Sequence, residues 1–149
     1  MINDQRPILV VEDSDDDYLA TSRAFKKACL RNPVYRCTNG DQALDFLYQR
    51  GEYEEAGSAP RPSIILLDLN LPGTDGRDVL REIKSDPALR NIPVIVLTTS
   101  ASESDINKCY EAGANSYVQK PVGIGGFVEA ITRIKNFWLE LVIIPKEIE

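Results

Sequence analysis

The side chains best suited to chemistry are few, and each stands at the end of a strand-like run. Glu12 and Asp13 follow PILVV at 7–11, Asp68 follows SIILL at 63–67, Thr98 closes IPVIVLT at 92–98, and Lys120 follows the short run at 115–119. The 149-residue chain has no histidine, so it can build neither a Ser-His or Cys-His nucleophile pair nor an imidazole metal site. Chemistry therefore falls to carboxylates, hydroxyls and lysines. Three carboxylates brought together raise one another's pKa by repulsion unless they share a cation, and an all-oxygen donor set suits Mg²⁺. With that ion in place a phosphoryl group is the natural guest, its oxygens facing the metal on one side and Lys120 on the other. The Thr98 hydroxyl completes its hydrogen bonding.

Each residue alone has a plainer reading. Asp68 could be a turn former ahead of Pro72 and Gly73, Thr98 an ordinary β-branched strand residue, and Lys120 a surface lysine. Asp15, Asp16 and Asp17 are read as an acidic helix start favoured by the helix dipole, with Ser14 or Asp15 as N-cap. What argues for a site is that Glu12, Asp13, Asp68, Thr98 and Lys120 all stand at strand ends on one edge of the sheet.

The elements that must position them alternate regularly. Apolar runs at 7–11, 63–67 and 92–97, the β-leaning stretch 34–37 and the short stretch 115–119 read as strands. Each is followed by a stretch with apolar residues at helical spacing, the last carrying Phe127, Ile131, Ile134, Trp138 and Leu141. Five βα units predict a doubly wound α/β fold with a parallel sheet covered on both faces. In such a sheet the functional crevice lies beyond the carboxyl ends of the strands, where these residues stand. The stretch 50–62, rich in Gly, Ser, Pro and Glu, reads as a long loop and a candidate partner surface.

Composition narrows the function further. Seventeen basic against twenty-three acidic side chains leave a net charge of -6, which removes general attraction to nucleic acid. No apolar run reaches the roughly 18 residues that cross a bilayer, and the N-terminus lacks a secretory pattern, so a cytoplasmic protein is expected. The length suits one domain, with a core over about 6–138 and an apolar extension at 139–149. Cys29, Cys37 and Cys109, odd in number and without a C-x-x-C pair, read as reduced core thiols.

The set V-V-E-D-S at 10–14, L-L-D-L-N-L-P at 66–72, V-L-T-T-S at 96–100 and Y-V-Q-K-P at 117–121 resembles the response-regulator receiver domain of two-component signalling, the CheY-like superfamily. The match spans nearly the whole chain in order and spacing. It implies a flavodoxin-like (βα)5 fold with strand order 2-1-3-4-5. Asp68 would accept a phosphoryl group from a histidine on a partner kinase, and Mg²⁺ would be held by Glu12, Asp13, Asp68 and the backbone carbonyl of Asn70. Lys120 would pair with Asp68 or the phosphoryl oxygens, with a cis Lys120–Pro121 bond. As switch residues, Thr98 would move toward the phosphoryl group and Tyr117 inward behind it, although Tyr117 reads equally well as a half-buried strand aromatic. Asn70 and Ser100 would flank the phosphoryl site and tune its hydrolysis. Without histidine the chain cannot supply its own donor, and too few residues follow the last helix for an output domain, so a stand-alone receiver is expected rather than an enzyme.

Three rivals are weaker. A dehalogenase-type phosphatase needs an acid-base Asp two residues past its nucleophile, where this chain has Asn70. An FMN carrier needs a phosphate loop that Glu12 and Asp13 would repel. A degenerate scaffold would not need Asp68, Thr98 and Lys120 together. The tail from Phe137 to Pro145 is unusually apolar, and a homodimer through Phe127, Ile131, Ile134, Trp138 and Leu141 is preferred over internal packing of Trp138. KNFWLE at 135–140 and RGEYE at 50–54 also resemble regulators partnered with cyanobacterial phytochromes, which would make the donor a phytochrome-type kinase. The alternative is a different sensor kinase.

Overall fold

Three strands of the computed structural model, which describes residues 6–146, are apolar and buried on both faces: β1 (Ile8–Val11), β3 (Ile64–Leu67) and β4 (Val94–Thr98). Continuous burial of this kind is what a parallel sheet covered on both sides requires. β2 (Val34–Cys37) and β5 (Ser116–Gln119) form the edges, and the five strands run parallel in the order β2-β1-β3-β4-β5. The fold is thus the doubly wound (βα)5 arrangement expected from the alternating runs.

Strand side chains alternate between two cores. Ile8, Val10, Ile64, Leu66, Ile95 and Leu97 meet α1 (Asp15–Lys27) and α5 (Ile124–Asn136) on one face. Leu9, Val11, Ile65, Leu67, Val94 and Val96 meet α2 (Gly40–Tyr48), α3 (Gly76–Ser85) and α4 (Glu103–Ala112) on the other. Four helix starts are written locally. Ser14, Asn39, Asp75 and Ser102 each accept a hydrogen bond from a backbone N–H in the first turn of α1 to α4, an exchange worth about 1 kcal/mol per cap.

Several expectations are corrected. Cys29, two residues past the end of α1 at Lys27, is exposed in the left-handed region at φ 59° instead of buried in the core. The stripe on α5 divides: Phe127, Ile131 and Ile134 are buried in this chain's own core, because that face of α5 packs on the sheet and α1. Of the five residues expected at an interface, Leu141 is exposed, while Trp138 is half-buried and packs against this chain's own core, the internal packing that sequence ranked second; both lie on a wider π-helical turn at Phe137–Leu141. The stretch 50–62 is not a bare loop. A 3-10 turn at Gly51–Tyr53 packs the Tyr53 ring edge-on against Phe46, with centroids 5.1 Å apart. No cis peptide bond occurs among the described residues, so Lys120–Pro121 is trans. That is the intrinsically favoured isomer, and Lys120 reaches its partners without the other. Of the apolar extension, 147–149 lie outside the described residues.

Candidate functional site

Strand register brings the two buried carboxylates together. Val11 lies opposite both Cys37 and Leu67, so Glu12 and Asp68 leave neighbouring strands at the same level. The ladder runs one step past the strand ends to hold them, with Glu12 N–H donating to Cys37 O at 2.9 Å and Asp68 N–H to Val11 O at 3.1 Å. Thr98 pairs with Gln119, and Lys120 N–H donates to Thr98 O at 2.7 Å. The crevice lies where β1 is flanked by β2 on one side and β3 on the other, the point at which the winding direction reverses.

Gly76 permits the close approach of α3 to this loop. A Cβ there would lie 2.2 Å from Asp68 O and 2.6 Å from Leu69 Cα, so no larger residue fits without moving the backbone that carries Asp68. Arg36, stacked 4.6 Å over the Tyr18 ring, donates from Nε to the Glu12 carbonyl at 3.1 Å and so steadies the neighbouring strand end.

Glu12, Asp68 and Lys120 are 4%, 6% and 8% exposed, Thr98 is fully buried, and Asp13 faces solvent. Lys120 Nζ lies 2.6 Å from Glu12 Oε1, 2.8 Å from Asp17 Oδ2 and 3.0 Å from Asp68 Oδ2, while Asp68 Oδ1 accepts from Asn70 N–H at 3.2 Å. Burial works against the Lys120 ammonium, yet its hydrogen bonds to Asp17, Glu12 and Asp68 outweigh that and hold its pKa above the ordinary lysine value. Burial pushes the Glu12 carboxyl up to about 7, against the pull of Lys120. Carboxylate oxygens of Glu12, Asp13 and Asp68 lie within 4.8 Å of one another. This donor set fits a hard divalent cation, which would stabilise the ionised form that burial opposes. Thr98 Oγ1 is buried without a hydrogen-bond partner among the described residues, a polar group that the protein itself leaves unsatisfied.

The expected site residues Glu12, Asp13, Asp68, Asn70, Thr98 and Lys120 are thus brought to one crevice. Asp15 and Asp16 remain first-turn acids of α1, as read from sequence, but Asp17 joins the site, which local pattern does not reveal because its partner lies 103 residues away. Tyr117 is half-buried; its hydroxyl donates to Ser100 O at 2.9 Å and its N–H to Tyr110 Oη at 3.1 Å. Ser100 Oγ in turn donates to Asp105 Oδ2 at 2.8 Å, tying the loop after β4 to α4. Neither Arg77 nor Asp105, which anchor that loop, carried a sequence signal. No helix among the described residues is long and apolar enough to cross a membrane.

The model of the response regulator receiver domain matches residues 8–132. Response regulator Rcp1 of Synechocystis is 43% identical over 143 residues, which cover 96% of this chain and 95% of that protein. The crystal structure of its Mn²⁺-bound form superposes with a TM-score of 0.89, covering 94% of this chain and 99% of the other. The phosphorylated cyanobacterial phytochrome response regulator RcpA is 39% identical, with a TM-score of 0.89 over 96% of this chain and all of that one (100%). Response regulator RPA3017, described in red light signalling of R. palustris, is 38% identical, with a TM-score of 0.86 over 95% of this chain and 99% of that one.

Proposed function

The chain belongs to the response regulator receiver family, and from that premise we propose that Asp68 accepts a phosphoryl group from a phosphohistidine on a partner sensor kinase. A carboxylate oxygen of Asp68 forms a bond to phosphorus as the phosphorus–nitrogen bond to the donor imidazole breaks, and the imidazole leaves with that electron pair. Lys120 orients Asp68 and then faces the transferred oxygens, and Thr98 Oγ1 supplies a hydrogen bond to one of them. Mg²⁺, held by Glu12, Asp13, Asp68 and the backbone carbonyl of Asn70, would offset the charge gathered on the phosphoryl oxygens. The observation that carries this reading is the buried Asp68 carboxylate 3.0 Å from Lys120 Nζ, with the unpartnered Thr98 hydroxyl at the end of the adjoining strand.

The chain then works as a cytoplasmic signalling protein, its chemistry confined to accepting and shedding the phosphoryl group. Transfer shifts Thr98, Tyr117 and the loop after β4, altering the surface around α4, β5 and α5. Resemblance to RcpA and RPA3017 supports a phytochrome-type kinase as the donor. A homodimer is supported by the exposed Phe137, Leu141 and Ile143 and by an open groove of about 740 Å³ lined in part by Phe137, Val118, Pro121, Ala130 and Trp138.

Intact mass after incubation with acetyl phosphate tests the acceptor. One phosphoryl mass gained with Mg²⁺, none without it and none in Asp68→Asn is the expected result; mass gain in Asp68→Asn overturns the assignment. Faster transfer from a purified phytochrome kinase than from an unrelated histidine kinase tests the donor, and equal rates remove that part. Sedimentation of the wild type against Phe137→Asp tests the dimer, which a concentration-independent monomer would exclude.

A further inference from the structure

Lys120 has three N–H donors, and all three are committed, to Glu12, Asp17 and Asp68. It can face a phosphoryl oxygen only by releasing one of them. The three carboxylates are not equivalent. The side chains of Glu12 and Asp68 are 5% and 8% exposed, so releasing either leaves a buried charge that only the cation can compensate. The Asp17 side chain is 38% exposed and can turn to water at little cost.

The position of Asp17 in its helix explains why it is available. Ser14 caps α1 and accepts from Asp17 N–H at 3.2 Å, the first half of a capping box. In the usual box the acid at this position reaches back to the N–H of the cap residue. Here Glu12 Oε2 accepts from Ser14 N–H at 3.3 Å and takes that role, which leaves the Asp17 carboxylate free to extend over the crevice to Lys120.

We propose that Asp17 is a positioning residue: it holds the Lys120 ammonium in the unphosphorylated protein and is the partner that Lys120 gives up when the phosphoryl group arrives. This deepens the phosphoacceptor reading and rests on it. Two consequences of opposite sign follow. Asp17 adds a negative charge to the cluster of Glu12, Asp13 and Asp68, which favours the divalent cation. It also competes with the phosphoryl group for Lys120 and repels its oxygens, which disfavours the phosphorylated form.

The opposed signs separate this role from a structural one, since a loosened α1 would weaken both. Mg²⁺ binding is followed by calorimetry, and binding of beryllofluoride, a phosphoryl mimic, is followed at saturating Mg²⁺. Asp17→Asn is expected to weaken Mg²⁺ and tighten beryllofluoride, each roughly two- to fivefold as suits a partly exposed charge pair. Asp16→Asn removes the neighbouring first-turn charge and leaves both affinities unchanged. Asp17→Glu, which keeps the charge, follows the wild type in the Mg²⁺ titration. Both affinities falling in Asp17→Asn, neither changing, or Asp16→Asn reproducing its pattern overturns the role of Asp17 alone. A wild-type chain that binds no beryllofluoride in Mg²⁺ sinks the phosphoacceptor reading, and this proposal with it.

Discussion

Arg77 and Asp105 meet fork to fork between α3 and α4, with Nε to Oδ1 and Nη2 to Oδ2 both at 2.8 Å. Arg77 opens the helix that follows Asp68, and Asp105 also accepts from Ser100 Oγ, two residues past Thr98. A bidentate pair is directional as well as attractive, so it sets where α4 and the loop after β4 rest relative to the loop that carries Asp68.

This pair makes stability depend on acid in a defined sense. Hydrogen bonds from Arg77, and then from Ser100, hold the Asp105 carboxyl down to about 2 from its ordinary 3.8. A folded pKa below the unfolded one contributes stability that is complete above about pH 4 and lost as pH falls toward about 2. Asp105→Asn should therefore be less stable than wild type at neutral pH, by about 1 kcal/mol, with the gap narrowing in acid. Urea unfolding of both proteins at neutral pH and near pH 3 checks this; a gap that widens in acid contradicts it.

Cys29 occupies the left-handed position after α1, where Cys29 N–H donates to Lys26 O and Leu30 N–H to Phe25 O, the paired bonds of a Schellman turn. Glycine takes that conformation without the Cβ clash, so Cys29→Gly should stabilise the fold by about 1 kcal/mol and raise Tm by a few degrees. The same substitution should abolish fast thiol reactivity. Cys37 and Cys109 are buried, and burial pushes the Cys37 thiol up to about 11. Thiol counting with an aromatic disulfide should find one reactive group in the native wild type, none in the variant, and three in the unfolded wild type.

Gly76→Ala tests the approach of α3 to the loop that carries Asp68. Its methyl group would sit 2.2 Å from the Asp68 carbonyl oxygen, and relieving that contact should cost about 1–3 kcal/mol and displace Asp68. Both the unfolding midpoint and the rate of phosphorylation by acetyl phosphate should fall; wild-type values for both would show that the loop has room.

Lys84 serves structure away from the crevice. Its Nζ donates to Arg90 O at 2.9 Å, Ile92 O at 2.8 Å and Asn115 Oδ1 at 2.9 Å, joining the end of α3 to the approaches of β4 and β5. Lys84→Met keeps much of the volume but takes their Lys84 donor from the Arg90 and Ile92 carbonyls, while Asn115 Oδ1 keeps the Val94 N–H at 2.9 Å, so a loss of about 1–3 kcal/mol is expected with beryllofluoride binding unchanged. Denaturant unfolding beside that titration separates the two effects.

The fold was legible because its signals are local. Apolar runs of strand length, helical periodicity between them and capping residues such as Ser102 and Gly113 depend only on near neighbours in sequence. The main site was legible for the same reason: in a parallel sheet the residue after each strand faces one common edge. Asp17 was not. Its place in an acidic first turn is locally consistent with a helix-dipole role, and nothing within its own turn reveals a lysine 103 residues later. The apolar stripe of α5 likewise shows that a face must be covered, without distinguishing a sheet from a second chain.

The sequence by itself determined the five βα units, the strand-end carboxylates, hydroxyl and lysine, and the absence of histidine chemistry. Those are properties of residue type and short-range period. Only the tertiary structure decided which carboxylates share Lys120, that Phe127, Ile131 and Ile134 are inside this chain, that Cys29 is exposed, and that Arg77 reaches Asp105. Each depends on the distance and orientation of groups far apart in the chain, which strand register and helix packing settle together.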